Sequence, residues 1–394
     1  MNYILFDTYR RNFLLPLTFL RPSCDIRFGI LTIREKWEHY LNSDTSTLTE
    51  DYLQKKFPLK KEKDNILING TLCPNKELFD AIGKLKDNQA LVSQGIVLAL
   101  RLSDLEIDKV YAEANEVEEV ETDTSFVKIN QSWDIFAMNG QAIKDDFELL
   151  TKGRKSAEIC NSNTVLNPEN IFIEEGAKVF NASLNASAGP IYIGKDAEVM
   201  EGSMIRGPFA LCENSSVKMG AKIYGDTTVG PECKVGGELS NVVMFGLSNK
   251  GHEGYLGNAV IAEWCNLGAD TNNSNLKNTY EEVKLWNYVD KRFVKTGLQF
   301  CGLIMGDHSK CGINTMFNTG TVVGVGANIF GAGFQRNFIP SFSWGGVSKM
   351  DRYNYKRAMS TTEAVMKRRK RDFDNTEREL FTHIYNLTEE NSQL

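Results

Sequence analysis

From Ile193 to Val235 an aliphatic residue returns at every sixth position: Ile193, Val199, Ile205, Leu211, Val217, Ile223, Val229 and Val235. Two residues before each of the last seven stands a mostly small side chain, in the order Ala197, Ser203, Phe209, Ser215, Ala221, Thr227 and Cys233. A period of six fits neither a helix nor the alternation of an ordinary strand, and it is one of the short repeats that mark a parallel β-helix. Each six-residue unit makes one flat side of a coil, and three sides close a triangle with the aliphatic side chains stacked inside. Such coils are stable only when neighbouring coils cover them. The register lapses after Val235, resumes at Ile261 and Leu267, and returns as Met305, Cys311, Phe317, Val323 and Ile329. The lapses at 236–258 and 270–297 predict loops that leave the coil, and loops on a rigid scaffold are where chemistry concentrates.

Residues 1–155 have a different grain. Tyr3 to Phe6, Asn65 to Asn69 and Val97 to Leu102 read as strands, while Leu31 to Tyr40, Asn75 to Leu85 and Gln141 to Leu150 read as helices. Strands alternating with helices predict an α/β layer with a mainly parallel sheet. The run from Glu113 to Asp123 is rich in acids and reads as a solvated loop or edge. Coils are expected over 156–346, and beyond them 347–394 reads as a charged helical tail. Its cations Lys367 to Arg371 are followed by Asp372, Asp374, Glu377 and Glu379, which argues for a solvated helix rather than a nucleic-acid patch.

The net charge of −6 gives no general attraction to nucleic acid or anionic membrane. No run approaches the roughly 18 apolar residues of a membrane span, and the opening MNYILFDTYRRN lacks a basic-then-apolar signal organisation. A cytoplasmic protein with neither nucleic acid nor membrane as partner is expected. The eight cysteines are scattered without a CxxC, several on coil positions, and read as buried free thiols.

Four histidines occur: His39, His252, His308 and His383. His252 falls in the first lapse of the repeat, within Gly251-His252-Glu253-Gly254-Tyr255-Leu256-Gly257. A neutral imidazole can take a proton near pH 7, which suits a general base acting on an amine or hydroxyl. The solenoid offers only His252 and His308, so a three-histidine zinc site cannot be built on it.

Gly251-His252 to Ala259, followed by Asn266-Leu267-Gly268-Ala269-Asp270-Thr271 to Asn275, resembles the GHxxYxGDAxIGxxxNIGAGTxTxN segment of the bifunctional N-acetylglucosamine-1-phosphate uridyltransferase/glucosamine-1-phosphate N-acetyltransferase family. The resemblance implies a trimer of left-handed parallel β-helices that transfers acetyl from acetyl-CoA to glucosamine 1-phosphate. Carried over by position, His252 is the general base, Tyr255 meets the sugar phosphate, and Asn266 and Asn275 hold the sugar or the acetyl-CoA. Gly320, Gly324 and Gly326 are the expected backbone contacts of acetyl-CoA. Two cations that the family uses for the sugar phosphate are absent from their usual places, where Leu211-Cys212 and Gly237-Glu238 stand. Arg206, Lys218, Lys250 or Lys277 would supply that charge instead.

Pro16-Leu17-Thr18, Arg21-Pro22 and Gly29 follow the order of the PLTxxRPKxxxPxxGKPxIEH region of sugar-1-phosphate nucleotidyltransferases. The resemblance implies a nucleotidyltransferase-like domain over 1–155 that takes a nucleoside triphosphate and Mg²⁺. The glycine-rich phosphate loop is replaced by Tyr9-Arg10-Arg11-Asn12-Phe13, the family lysine by Ser23, and the usual metal-binding aspartate by Thr71. Arg10, Arg11, Arg21 and Arg27 are the candidates for the lost phosphate contacts, with Asp25 and Asp134 as metal ligands. Two further readings compete with a bifunctional enzyme. In one the front domain alone catalyses and the β-helix serves trimerisation; in the other the protein is a non-catalytic sugar-nucleotide sensor.

Overall fold

The six-residue column is built as three stacks of short parallel strands. In the computed structural model, which describes residues 1–107 and 117–389, one stack holds Ile171–Ile173, Ile191–Ile193, Phe209–Leu211 and Thr227–Val229, paired in register. A second holds Lys178–Val179, Glu198–Val199, Ser216–Val217, Lys234–Val235 and Asn249–Lys250. The third holds Thr164–Leu166, Ser183–Asn185, Met204–Arg206 and Lys222–Ile223. Together they make a parallel β-solenoid of about ten turns, with helices at its C-terminal end. The eight aliphatic positions of the repeat are at most 2% exposed and belong to one core cluster. Burial of each such side chain is worth roughly 1.5–3 kcal/mol, which is what holds one coil to the next.

One corner per turn takes a left-handed backbone, and Asp196, Asn214 and Glu232 occupy it with φ near 55°. Asp and Asn adopt that conformation readily. Higher in the solenoid Leu247, Trp264 and His308 also take positive φ, at 55°, 63° and 58°. The rings of Trp264 and His308 stack with centroids 5.9 Å apart.

The first expected loop is not a departure from the coil. Between 236 and 258 the sides shorten, so that Ile223 pairs with Leu239 and Val229 with Met244, but the stacking is unbroken. The second lapse is a true insertion. Asn273 pairs with Phe317 and Leu267 with Cys311, and the intervening chain carries the antiparallel hairpin of Lys284–Asn287 and Arg292–Lys295.

The chain divides into a front unit of residues 1–14, 20–26 and 31–130 and a second unit of 15–19, 27–30 and 131 onward. The front unit contains a six-stranded sheet in the order 46–48, 2–6, 65–69, 96–102, 89–93, 118–121. The sheet is mainly parallel, as expected, with one exception: 96–102 runs antiparallel to both of its neighbours. The cause is local. Gln94 and Gly95 both have positive φ, at 49° and 72°, the signature of a tight hairpin turn that returns the chain against itself. Helix Ile33–Leu41 starts at a capping box in which Thr32 Oγ1 accepts from the Glu35 amide and the Glu35 carboxylate accepts from the Thr32 amide. Of the acidic run, 113–116 lie outside the described residues, and Glu118–Glu121 is an edge strand.

Helix Asn139–Thr151 clusters with the solenoid: Ile143 packs with Ala210, Cys212 and Ile30. The Asn139 amide donates to Asp226 O at 2.9 Å. The tail forms two helices, Tyr355–Arg368 and Asn375–Leu387, rather than one. No helix among the described residues is long and apolar enough to cross a membrane. All eight cysteines are free thiols, with only Cys160 exposed.

Candidate active site

His252 is exposed at the turn that follows Asn249–Lys250. Two glycines let this turn lie close between coils. A Cβ on Gly237 would meet His252 O and Gly254 O at 2.8 Å, and one on Gly254, whose φ is +111°, would meet Thr271 O at 2.2 Å. His252 and Asn266 line the same cavity, of about 700 Å³. Five cations share it: Lys218, Lys234, Lys310, Arg368 and Arg369. No carboxylate is among the described residues that line it.

The arginines come from the end of the first tail helix. Arg369 donates to Glu232 O at 3.0 Å and to Asn249 Oδ1 at 2.9 Å, and the Asn249 amide donates in turn to Asn266 Oδ1 at 3.3 Å. Burial, then Arg369, Lys218 and Arg368, hold the Lys234 ammonium below its ordinary pKa. Burial pushes Lys310 down to about 8, and its Nζ donates to His308 O at 2.7 Å. A cavity in which three cations crowd the ammonium of a fourth is one that an anion would relieve.

Tyr255 and Asn275 form a separate group. The Asn275 amide donates to Tyr255 Oη at 2.9 Å and to Asn258 Oδ1 at 2.7 Å, while the Tyr255 amide donates to Asn272 Oδ1 at 2.7 Å. Burial raises the Tyr255 phenol above its ordinary pKa, so it stays a neutral donor at physiological pH. Beside it in register stands Glu238, and beside Glu238 stands Lys222. Lys222 Nζ lies 3.6 Å from the Glu253 carboxylate. Lys222 and Arg206 line one groove, of about 550 Å³, together with Tyr224.

Other expectations are corrected by geometry. Lys250, a candidate for the sugar phosphate, is 1% exposed and turned inward. The space at Gly320 is taken by Lys284 O and Val283, that at Gly324 by Ser341, and that at Gly326 by the Phe342 ring. All three glycines are buried, so they serve packing and offer no open backbone to acetyl-CoA. Of the four arginines assigned to phosphate, only Arg10 is exposed, its guanidinium 5.2 Å from the Phe13 ring centroid. Arg11 is buried against Tyr52 Oη at 2.6 Å, in a 3₁₀ turn, Tyr9–Leu14, that replaces the glycine loop. Arg21 is buried, and Arg27 lies inside the second unit, donating to Phe245 O at 3.0 Å and to Ile30 O.

The expected magnesium ligands do not fit a metal. Both oxygens of Asp25 accept from Arg34, at 2.5 and 3.2 Å, and Asp134 Oδ2 accepts from the Gln131 amide at 2.9 Å. Among the described residues no group of three or more His, Cys, Asp or Glu side chains could hold an ion.

The cavity-lining cations that the sequence did not single out are Lys222, Lys234, Lys310, Arg368 and Arg369. The run Lys367 to Arg371 was a visible signal, but only packing shows that two of its members turn into the cavity.

Known proteins resemble the two parts of the chain separately. Residues 3–155 match the family described as sugar nucleotidyl transferase. A bifunctional sugar-1-phosphate nucleotidylyltransferase/acetyltransferase from Sulfurisphaera tokodaii is 30% identical over 145 residues, which is 36% of this chain and 35% of the relative. The match thus spans about a third of that relative's length. Among solved structures, an Arabidopsis UDP-N-acetylglucosamine acyltransferase aligns over 54% of this chain and 80% of its own, at 12% identity and a TM-score of 0.27. The polySia-specific acetyltransferase NeuO aligns over 52% and 94%, at 14% identity and a TM-score of 0.25.

Proposed function

We propose that the protein is a bifunctional transferase of amino-sugar nucleotide synthesis. The solenoid of 156–346, with the helices of 347–394, acetylates glucosamine 1-phosphate from acetyl-CoA. The front domain, 1–155, transfers a uridylyl group from the nucleoside triphosphate to the sugar 1-phosphate, releasing pyrophosphate and giving UDP-N-acetylglucosamine. The match of residues 3–155 to sugar nucleotidyl transferases supports the second half.

The observation that carries the acetyl-transfer half is the cavity shared by His252, Asn266 and five cations. A coenzyme A thioester is a polyanion with an apolar arm, and Leu247, Leu267, Ile313 and Val365 line the same cavity. His252 takes the proton from the attacking amine as nitrogen bonds to the thioester carbonyl. The carbon–sulfur bond then breaks, and the imidazolium returns its proton to the leaving thiolate. Tyr255, Asn258 and Asn275 orient sugar hydroxyls without adding charge, and Lys222 with Arg206 replaces the cations missing from the family positions. A homotrimer whose subunits flank this cavity belongs to the same reading.

A second reading keeps only the acetyl transfer. The buried Arg11 and Arg21, and the 3₁₀ turn in place of a glycine loop, favour it. One assay separates the two: purified protein with glucosamine 1-phosphate, acetyl-CoA, UTP and magnesium, following free CoA and pyrophosphate. Release of both supports the bifunctional reading. CoA alone supports the second, and silence in both channels refutes both.

A further inference from the structure

The solenoid reserves its inner column for apolar side chains, and one lysine stands in it. Along the second stack the inward position is Val179, Val199, Val217 and Val235, then Lys250, and afterwards Leu267, Cys311 and Ile329. Lys250 is 1% exposed there and makes no ion pair among the described residues. Its Nζ instead donates to three carbonyls: Gly236 O at 3.1 Å, His252 O at 2.6 Å and Glu253 O at 3.1 Å. Three N–H bonds and three acceptors satisfy the ammonium fully. A valine at this position would cost nothing in desolvation, so a buried charge retained here demands a purpose beyond packing.

Two of those carbonyls belong to the turn that carries His252, and the third belongs to the coil beneath. We propose that Lys250 is a positioning residue, a strut from the core of the solenoid that fixes the His252–Gly254 turn and so presents the imidazole to the cavity. The role rests on reading His252 as the general base, but the holding of the turn stands apart from it. Glu253, Asp270 and Cys311 favour the charged form from around the amine, Lys222 opposes it, and burial outweighs them all, bringing Lys250 to about 8. A neutral amine keeps two N–H groups for three carbonyls, so one anchor of the turn is lost on deprotonation.

The test compares the full-length wild type with Lys250→Met, which fills the column without a donor. Hydrogen exchange is read alongside acetyl transfer at the two amides that bond into the turn, Glu238 to Gly254 O at 3.2 Å and Asp270 to Glu253 O at 3.1 Å. The expected result is faster exchange at these two amides while the coils below stay protected, and a kcat for CoA release lowered by on the order of 10²-fold with both KM values within about threefold, as for a misplaced catalytic group. Unchanged exchange at Glu238 and Asp270 in the variant overturns the strut. So does a kcat within about threefold of wild type where His252→Ala is itself inactive. If His252→Ala retains activity, the base assignment fails and the exchange result alone decides on Lys250. Should Lys250→Met not fold, wild type is read across pH. Corrected for intrinsic rates, protection at Glu238 and Asp270 falls as Lys250 loses its proton while the coils stay protected, and a profile flat from about pH 7 to about pH 10 refutes the proposal.

Discussion

The guanidinium of Arg369 donates to Asn249 Oδ1 at 2.9 Å, tying the tail helices to the coil that leads into the His252 turn. The cavity therefore has one wall made by the tail.

Removing the tail cations should weaken the cosubstrate and spare the chemistry. In Arg368→Ala/Arg369→Ala the KM for acetyl-CoA is expected to rise by on the order of tenfold, with kcat within about threefold, because charge-assisted contacts to phosphate act mainly in binding. Initial rates against acetyl-CoA concentration check this. An unchanged KM would remove the cation cluster from the cosubstrate site.

His252→Ala should lower the rate of CoA release by roughly 10²–10⁴-fold, the ordinary contribution of a positioned base. Raising the pH should recover part of the loss, since a larger share of the amine is then already neutral. Absence of that recovery would argue that His252 does something other than take the proton.

Stability should carry a signature of the two depressed lysines. Lys250 and Lys310 titrate at about 8 in the folded chain against an ordinary 10.5. Between those values the unfolded chain binds more protons, so these groups make stability rise with pH through that window. Urea midpoints at about pH 7.5 and about pH 10 should rise less in Lys310→Met than in wild type. An equal rise in both would show that Lys310 is not depressed.

Leu211→Ala should destabilise by about 2–5 kcal/mol, because Leu211 is fully buried in the stacked column and a solenoid coil relaxes little around a void. Thr32→Ala, which removes one half of a capping box, should cost only about 1 kcal/mol. Chemical denaturation of each variant measures both, and the ordering of the two is the point of comparison.

The coils were legible because every inward position repeats the same demand, so chemistry and spacing agree over many turns. The turn at Gln94-Gly95 was not recognised, and with it went the antiparallel pairing of 89–93 with 96–102. The lapse at 236–258 misled for a related reason: shortened sides break the six-residue count without breaking the stack. Lys250 was visible as a residue but not as a column member, because its place is fixed only once the shortened sides are in register with Val235. The direction of Arg368 and Arg369 depends on how the tail helix lies against the coil, and no local pattern encodes that. Arg11, Arg21 and Arg27 show the converse, since a cation near an expected phosphate site can be wholly committed to the fold.

A solenoid shares its stability only between adjacent coils. A rung that encloses an ammonium contributes less to that sharing than the valine rungs before it. Under load or denaturant the stack should part at Lys250 first, leaving the coils from 165 to 235 as a surviving block. The feature that holds the His252 turn in place is then also the seam along which the protein opens.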